Sequence, residues 1–130
     1  MTAPAQPETG PQRPGVLPSQ ELRALIAQGR ISAQTPIPAP QVQPASLDLR
    51  LGAVAHRVRA SFLTGAESTV EARLERFAMH SIDLTRGAVL EKGCVYVIPL
   101  QERLDLPADV SAAANAKSST GRLDLLTRLI

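Results

Sequence analysis

Near the end of the chain, the run Ala116-Lys117-Ser118-Ser119-Thr120-Gly121-Arg122 is dense in groups that bind anions. Lys117, Ser118, Ser119, Thr120 and Arg122 can each donate a hydrogen bond, and two of them carry positive charge. Leu123, Leu125 and Leu126 follow, which predicts the serines at the first turn of a short helix. Free N–H groups and the positive end of the helix dipole would add to the side-chain donors there. Gly121 lets a ligand come close to the backbone. The run reads as a phosphate cradle or as an ordinary Ser-rich helix cap on a solvated turn. It is not a P-loop, because Gly-x-x-x-x-Gly-Lys-Ser/Thr is absent.

Other chemistry is excluded by counting. A zinc-dependent deaminase holds its metal with His-x-Glu and Pro-Cys-x-x-Cys elements. This chain has one cysteine, Cys94, and neither His56 nor His80 has a glutamate two residues on. A tetrahedral structural zinc lacks ligands for the same reason. Ser, His and Asp are all present, but no Gly-x-Ser-x-Gly elbow is. His56 is predicted in an alternating strand and His80 at a helix end, positions that suit surface residues better than a general base. Cys94 lies in the apolar run Cys94-Val95-Tyr96-Val97-Ile98 and reads as a buried structural thiol.

The elements that must position the donor run belong to a chain of 130 residues, one domain at most. Its core must be aliphatic, since only 2% of residues are aromatic. That scarcity also argues against a stacking platform for single-stranded nucleic acid. Net charge is +2, from 14 basic and 12 acidic residues, which favours a small anionic ligand over a polyanion. No secretory leader is evident, and no apolar run nears the roughly 20 residues that span a bilayer, so a cytoplasmic location is expected.

Residues 1–15 are rich in Pro, Gly and polar residues and are predicted to be a disordered tail, leaving 16–130 as the domain. Leu22, Leu25 and Ile26 predict a helix over 19–28, capped by Ser19 and ended by Gly29. Four prolines keep Thr35–Pro44 extended or turning. Ser46-Leu47-Asp48-Leu49-Arg50-Leu51 alternates and predicts a strand with its leucines toward a core, Asp48 and Arg50 toward the other side. Val54–Arg59 predicts a second strand. Ser68-Thr69-Val70-Glu71 reads as a capping box opening a second helix, about 69–79, with Val70, Leu74 and Phe77 on one stripe. Further short strands are expected around Ile82–Leu84, Val89–Leu90, Cys94–Leu100, Gln101–Leu106 and Val110–Ala114. The pattern is mainly β (α+β), a barrel or sandwich with two short helices.

Gln43-Pro44-Ala45-Ser46-Leu47-Asp48-Leu49-Arg50-Leu51-Gly52 resembles the first signature of the dCTP deaminases, an extended segment ending in Asp-x-Arg-Leu-Gly. Lys117-Ser118-Ser119-Thr120-Gly121-Arg122-Leu123 resembles their second, usually Arg-Ser-Ser-Leu-Ala-Arg-Leu. Arg103-Leu104-Asp105-Leu106-Pro107-Ala108-Asp109 and the opening from Leu17 to Ile31 fit as well, in the family's order. Three positions depart from it: Lys117 replaces Arg, Gly121 stands where Ala is common, and Asp124 where Gly is common. They suggest a divergent branch, like the longer proteobacterial form.

The resemblance implies a dUTPase-like distorted β-barrel, or β-clip, incomplete at its C-terminus. It also implies zinc-independent hydrolysis of dCTP to dUTP and ammonia, with dUTP hydrolysis or a non-catalytic nucleotide-binding or assembly role as alternatives. The segment matching Lys117, Ser118, Ser119, Thr120, Gly121 and Arg122 holds the triphosphate, with magnesium bound through it. Ser118 matches the serine that positions the water and the cytosine edge, and Arg122 an essential arginine. The family's general-base glutamate follows this motif, whereas Glu8, Glu21, Glu67, Glu71, Glu75, Glu91 and Glu102 all precede it; the base is therefore expected beyond Ile130. Asp48 matches an aspartate that reaches magnesium through water in dUTPases; by its residues alone it can equally pair with Arg50 or a neighbour. A homotrimer with shared sites, and dTTP as a regulator, are further implications; neither nucleic acid nor membrane is expected as a partner.

Overall fold

Pro18 sits in extended backbone and leads into α1 (Ser19–Ala27), which buries Leu25 and half-buries Leu22 and Ile26. The computed structural model describes residues 14–130, so the predicted tail lies outside it except for Pro14 and Gly15. Ser19 is not the cap. It is the first helical residue, and its hydroxyl accepts from Arg23 at 3.1 Å. At the other end Gly29 has φ +73°, the left-handed conformation expected of it. Arg30 N–H reaches Leu25 O at 2.9 Å and Gly29 N–H reaches Ile26 O at 3.0 Å, the paired bonds of a Schellman ending. This turn delivers Ile31 into the core at the start of β1 (Ile31–Ala33).

Two small antiparallel sheets follow. β1 pairs with β5 (Glu102–Leu104), Ile31 opposite Leu104 and Ala33 opposite Glu102. In the other sheet β2 (Val54–Val58) is central, flanked by β3 (Ala78–Asp83) and β4 (Val95–Val97). β2 buries Ala55 and Val58, with a bulge between Arg57 and Val58. α2 (Val70–Phe77) connects β2 to β3 and half-buries the expected stripe of Val70, Leu74 and Phe77. The core is aliphatic, as the composition required: Leu25, Ile31, Ala55 and Val58. Phe62 and Phe77 stack outside it, ring centroids 5.5 Å apart.

The architecture is mixed α+β. Among the described residues the sheets do not close into a barrel, because each ladder is only a few residues long and the connecting backbone is broken by proline and turns. A third short helix, α3 (Ser118–Gly121), joins the two predicted. The capping box is shifted by one: Thr69 is the cap, accepting from Ala72 N–H at 3.2 Å, so Glu71 is not at the reciprocal position. His80 lies inside β3, not at a helix end, because pairing with β2 begins directly after Phe77.

Ser46–Leu51 is not a continuous strand. It touches neighbours through two isolated bridges, Val42 to Leu47 and Leu51 to Leu100, and Leu51 is 52% exposed. Leu47, Asp48, Leu49 and Arg50 are all half-buried, so burial does not alternate as predicted, and the prolines on either neighbour lack the N–H groups that a full ladder needs. Val89–Leu90 and Val110–Ala114 are unpaired coil, and Cys94–Leu100 contracts to the three residues of β4, with Val95 exposed and Tyr96 and Val97 half-buried rather than buried. Among the described residues no helix is long and apolar enough to cross a membrane.

Candidate functional site

Lys117 forms the N-cap of α3 in extended backbone, without a side-chain capping bond. The serines therefore do not cap: Ser118 and Ser119 occupy the first turn itself, exposed to solvent. The turn closes through Gly121 N–H to Lys117 O at 2.8 Å and Arg122 N–H to Ser118 O at 3.1 Å. One turn sums few peptide dipoles, so charge here comes from the side chains rather than from a macrodipole. Among the described residues the hydroxyls of Ser118, Ser119 and Thr120 and the Arg122 guanidinium have no hydrogen-bond partner; Thr120 is half-buried and the others are exposed. A methyl group at Gly121 would meet only Ala116 Cβ, at 3.9 Å. Asp124 takes φ +59°, which explains why glycine suits this place and why aspartate is tolerated.

The fifth donor is engaged. Lys117 Nζ pairs with Asp48 Oδ2, which Gln43 Nε2 also approaches at 3.4 Å. Asp48 therefore joins the two motifs directly, and its partner is Lys117 rather than Arg50.

Arg50 is committed elsewhere. Its backbone N–H and Nε reach the two oxygens of Glu102 at 2.8 and 2.7 Å. Its outer nitrogens reach the carbonyls of Pro36 and Thr35 at 3.3 Å. Gln41 Nε2 adds a third bond to Glu102, 2.7 Å long. Burial of the Glu102 carboxylate favours its neutral form, but the Arg50 and Gln41 bonds outweigh that and hold it below the usual carboxylate range. A carboxylate so saturated is a poor proton acceptor, and Glu102 is structural. Sequence reading passed over this network, although a signal existed: period two puts Glu102 on the face of Leu100 and Leu104, where a charge needs a partner.

The glycine of the first motif also has a steric role. Gly52 N–H donates to Pro99 O at 2.6 Å, and a Cβ on Gly52 would lie 2.8 Å from that oxygen. The histidines lie in the other sheet, and Cys94 immediately precedes its strand β4. His56 Nδ1 is 2.9 Å from Ser81 Oγ across β2 and β3, but among the described residues no carboxylate orients the ring. Cys94 is half-buried and accepts from Arg57 Nη2 at 3.0 Å, inside a cluster with Glu91.

The family model described as the 2'-deoxycytidine 5'-triphosphate deaminase (DCD) N-terminal domain matches residues 13–130, which include both motifs. The chain belongs to the dCTP deaminase family. It is 33% identical over 112 residues to a dUMP-forming dCTP deaminase of Beutenbergia cavernae, covering 86% of this chain and 57% of that protein. Similarity to a dCTP deaminase of Natronomonas pharaonis is 27% over 114 residues, with 85% and 58% covered. The crystal structure of the 2'-deoxycytidine 5'-triphosphate deaminase from Agrobacterium tumefaciens superposes with a TM-score of 0.80 at 56% identity. That match covers 85% of this chain and 33% of the solved one. The chain thus spans little over half the length of the curated relatives it matches, and a third of the solved chain.

Magnesium, which the resemblance implied, would meet the Asp48–Lys117 pair in either of two ways. With Asp48 turned to Lys117, a metal carried on phosphate oxygens needs no protein carboxylate, whereas one held by Asp48 would first have to break that pair.

Proposed function

We propose that the protein contributes the triphosphate-holding part of an enzyme that hydrolyses dCTP to dUTP and ammonia without zinc. One observation carries this reading: in a family of dCTP deaminases, Arg50 of the first motif is spent on the fold, while four of the five donors of residues 117–122 are unspent. Lys117, Ser118, Ser119, Thr120, Gly121 and Arg122 would hold the phosphates, with magnesium riding on them. Ser118 would position the attacking water and the cytosine edge, and Arg122 would stabilise charge developing during attack. Water adds to the ring carbon that bears the amino group, and ammonia leaves with the proton that the general base removed. That base is a glutamate which, by resemblance, follows the 117–122 motif; Glu102 is unsuited to the task. A trimer with shared sites and feedback by dTTP complete the proposal.

The test is a thermal-shift screen of dCTP, dUTP and dTTP with magnesium. A ligand at 100 times its Kd stabilises a protein by about 2.7 kcal/mol, so dCTP should raise Tm by several degrees. The same shift from every anion, or none from any nucleotide, would sink the proposal.

A second reading has its own support. The Beutenbergia cavernae relative and one from Mycolicibacterium vanbaalenii, 33% identical over 122 residues, are both dUMP-forming dCTP deaminases. Chromatography of the products of the intact enzyme separates the two: dUTP for the first, dUMP with pyrophosphate for the second.

A further inference from the structure

Lys117 is exposed over 62% of its side chain, yet its ammonium does not point freely into solvent; it rests on Asp48, 69 residues earlier and itself 31% exposed. Asp48 is held from behind. Its N–H donates to Gln41 O at 2.9 Å, and Gln41 is anchored through its amide to buried Glu102. The carboxylate therefore has a fixed address beside the 117–122 turn, while the other four donors of that turn have no partner among the described residues.

We infer that Asp48 is the resident counter-ion of this loop: Lys117 rests on the carboxylate, and a phosphate chain binds by taking Lys117 from it. The inference rests on the phosphate-holding reading of residues 117–122. An ammonium has three donors, but the carboxylate and a polyphosphate repel each other, so both cannot be close to the same nitrogen at low cost. Each ligand must therefore displace the pair, and the site binds more weakly than its donors alone would allow. Exposed pairs of this kind shift an equilibrium by at most about fivefold, and the repulsion adds a smaller factor that salt screens.

The probe is inorganic tripolyphosphate, without magnesium so that Asp48 cannot act through a metal, titrated calorimetrically into the 130-residue chain at low ionic strength. Asp48→Asn should tighten binding three- to tenfold. Asp124→Asn removes the same charge close to the loop without touching the pair, and should tighten it no more than about twofold. In a Lys117→Gln background, Asp48→Asn should gain only as much as Asp124→Asn does, because no pair remains to break. Circular dichroism and the conservative Asp48→Glu variant, which should bind like wild type, guard against misfolding. In wild type the Lys117 Nζ resonance should shift in step with binding.

Equal gains in both backgrounds would mean that Asp48 acts by bulk charge alone, and the exchange would be overturned. Weaker binding by Asp48→Asn would overturn it too, making the aspartate a support for the bound lysine. If wild type binds no tripolyphosphate, the phosphate-holding reading fails and this inference with it.

Discussion

The two signature segments differ in what their polar groups do. In 43–52 the arginine is tied by backbone and side chain to a buried carboxylate, and the glycine is wedged against Pro99 O. In 117–122 the serines, the threonine and the arginine are unpartnered among the described residues, and the glycine has open space beside it. The first segment fixes the fold and the second offers donors. Two motifs that look alike as strings of polar residues thus play opposite parts. Only Asp48 crosses between them.

The largest test of this division concerns turnover. The polypeptide of residues 1–130, assayed alone, is expected to release no measurable ammonia or dUTP from dCTP, with or without zinc. The proposed function needs a glutamate after residues 117–122, which these 130 residues do not supply, and loss of a positioned acid–base group costs about 10²–10⁴ in rate. Robust release would make one of the seven glutamates the base, with Glu102 the least suited of them. In an enzyme with the proposed activity Arg122→Ala should abolish turnover, since removing one preorganised donor at developing charge costs about 10²–10³. Lys117→Arg should retain it, because a lysine there acts mainly as a point charge. Steady-state rates of the two variants decide the matter; an Arg122→Ala enzyme within tenfold of wild type would move Arg122 out of the site.

The first motif should respond in stability instead. Glu102→Gln leaves Arg50 without its counter-charge; breaking a fully buried pair costs about 3–5 kcal/mol, and with Arg50 29% exposed the loss should fall below that. The effect should carry a pH signature. The folded Glu102 carboxyl is held below its ordinary value, so its contribution is complete above the unfolded pKa of about 4.3. That contribution is lost as pH falls through the lower, folded value. Tm measured from pH 7 downward should fall along a shallower acid limb in Glu102→Gln than in wild type. Parallel limbs would show that the carboxylate is not what links this region to pH.

How much of this was legible in the sequence depended on range. α1 and its ending could be read because Leu22, Leu25, Ile26 and Gly29 lie within two turns of one another and report on local geometry. β2 was legible for the same reason. The strand predicted at 46–51 failed because alternation of residue types does not supply a partner, and the partners here are prolines and single bridges. Pairs such as Arg50 with Glu102 and Asp48 with Lys117 span 52 and 69 residues, beyond any spacing rule. The donors of 117–122 were visible as residue types. That they are unspent became visible only once the groups that might have claimed them were placed.

The smallest predicted effects come from the two motif glycines, and they draw the contrast most cleanly because the same methyl group is added in each case. Gly52 does not need its freedom of φ; it lies outside the set of positive-φ glycines. What it needs is room, since an added Cβ would stand 2.8 Å from the Pro99 carbonyl that its own N–H binds. A backbone oxygen cannot rotate aside as a side chain can, so the bridge between Leu51 and Leu100 must shift, and overpacking of this kind costs about 1–3 kcal/mol. Gly121 meets nothing closer than Ala116 Cβ at 3.9 Å, an ordinary contact. At a helical position the exchange even favours alanine by up to about 1 kcal/mol. Gly52→Ala should therefore lower Tm with little change in the affinity of correctly folded protein for nucleotide. Gly121→Ala should leave Tm level or slightly raised, and any effect it has should be on the Kd for nucleotide. Thermal melts with and without dCTP measure both quantities on the same samples. A Gly121→Ala protein destabilised as much as Gly52→Ala would mean that the second segment is bound into the fold like the first.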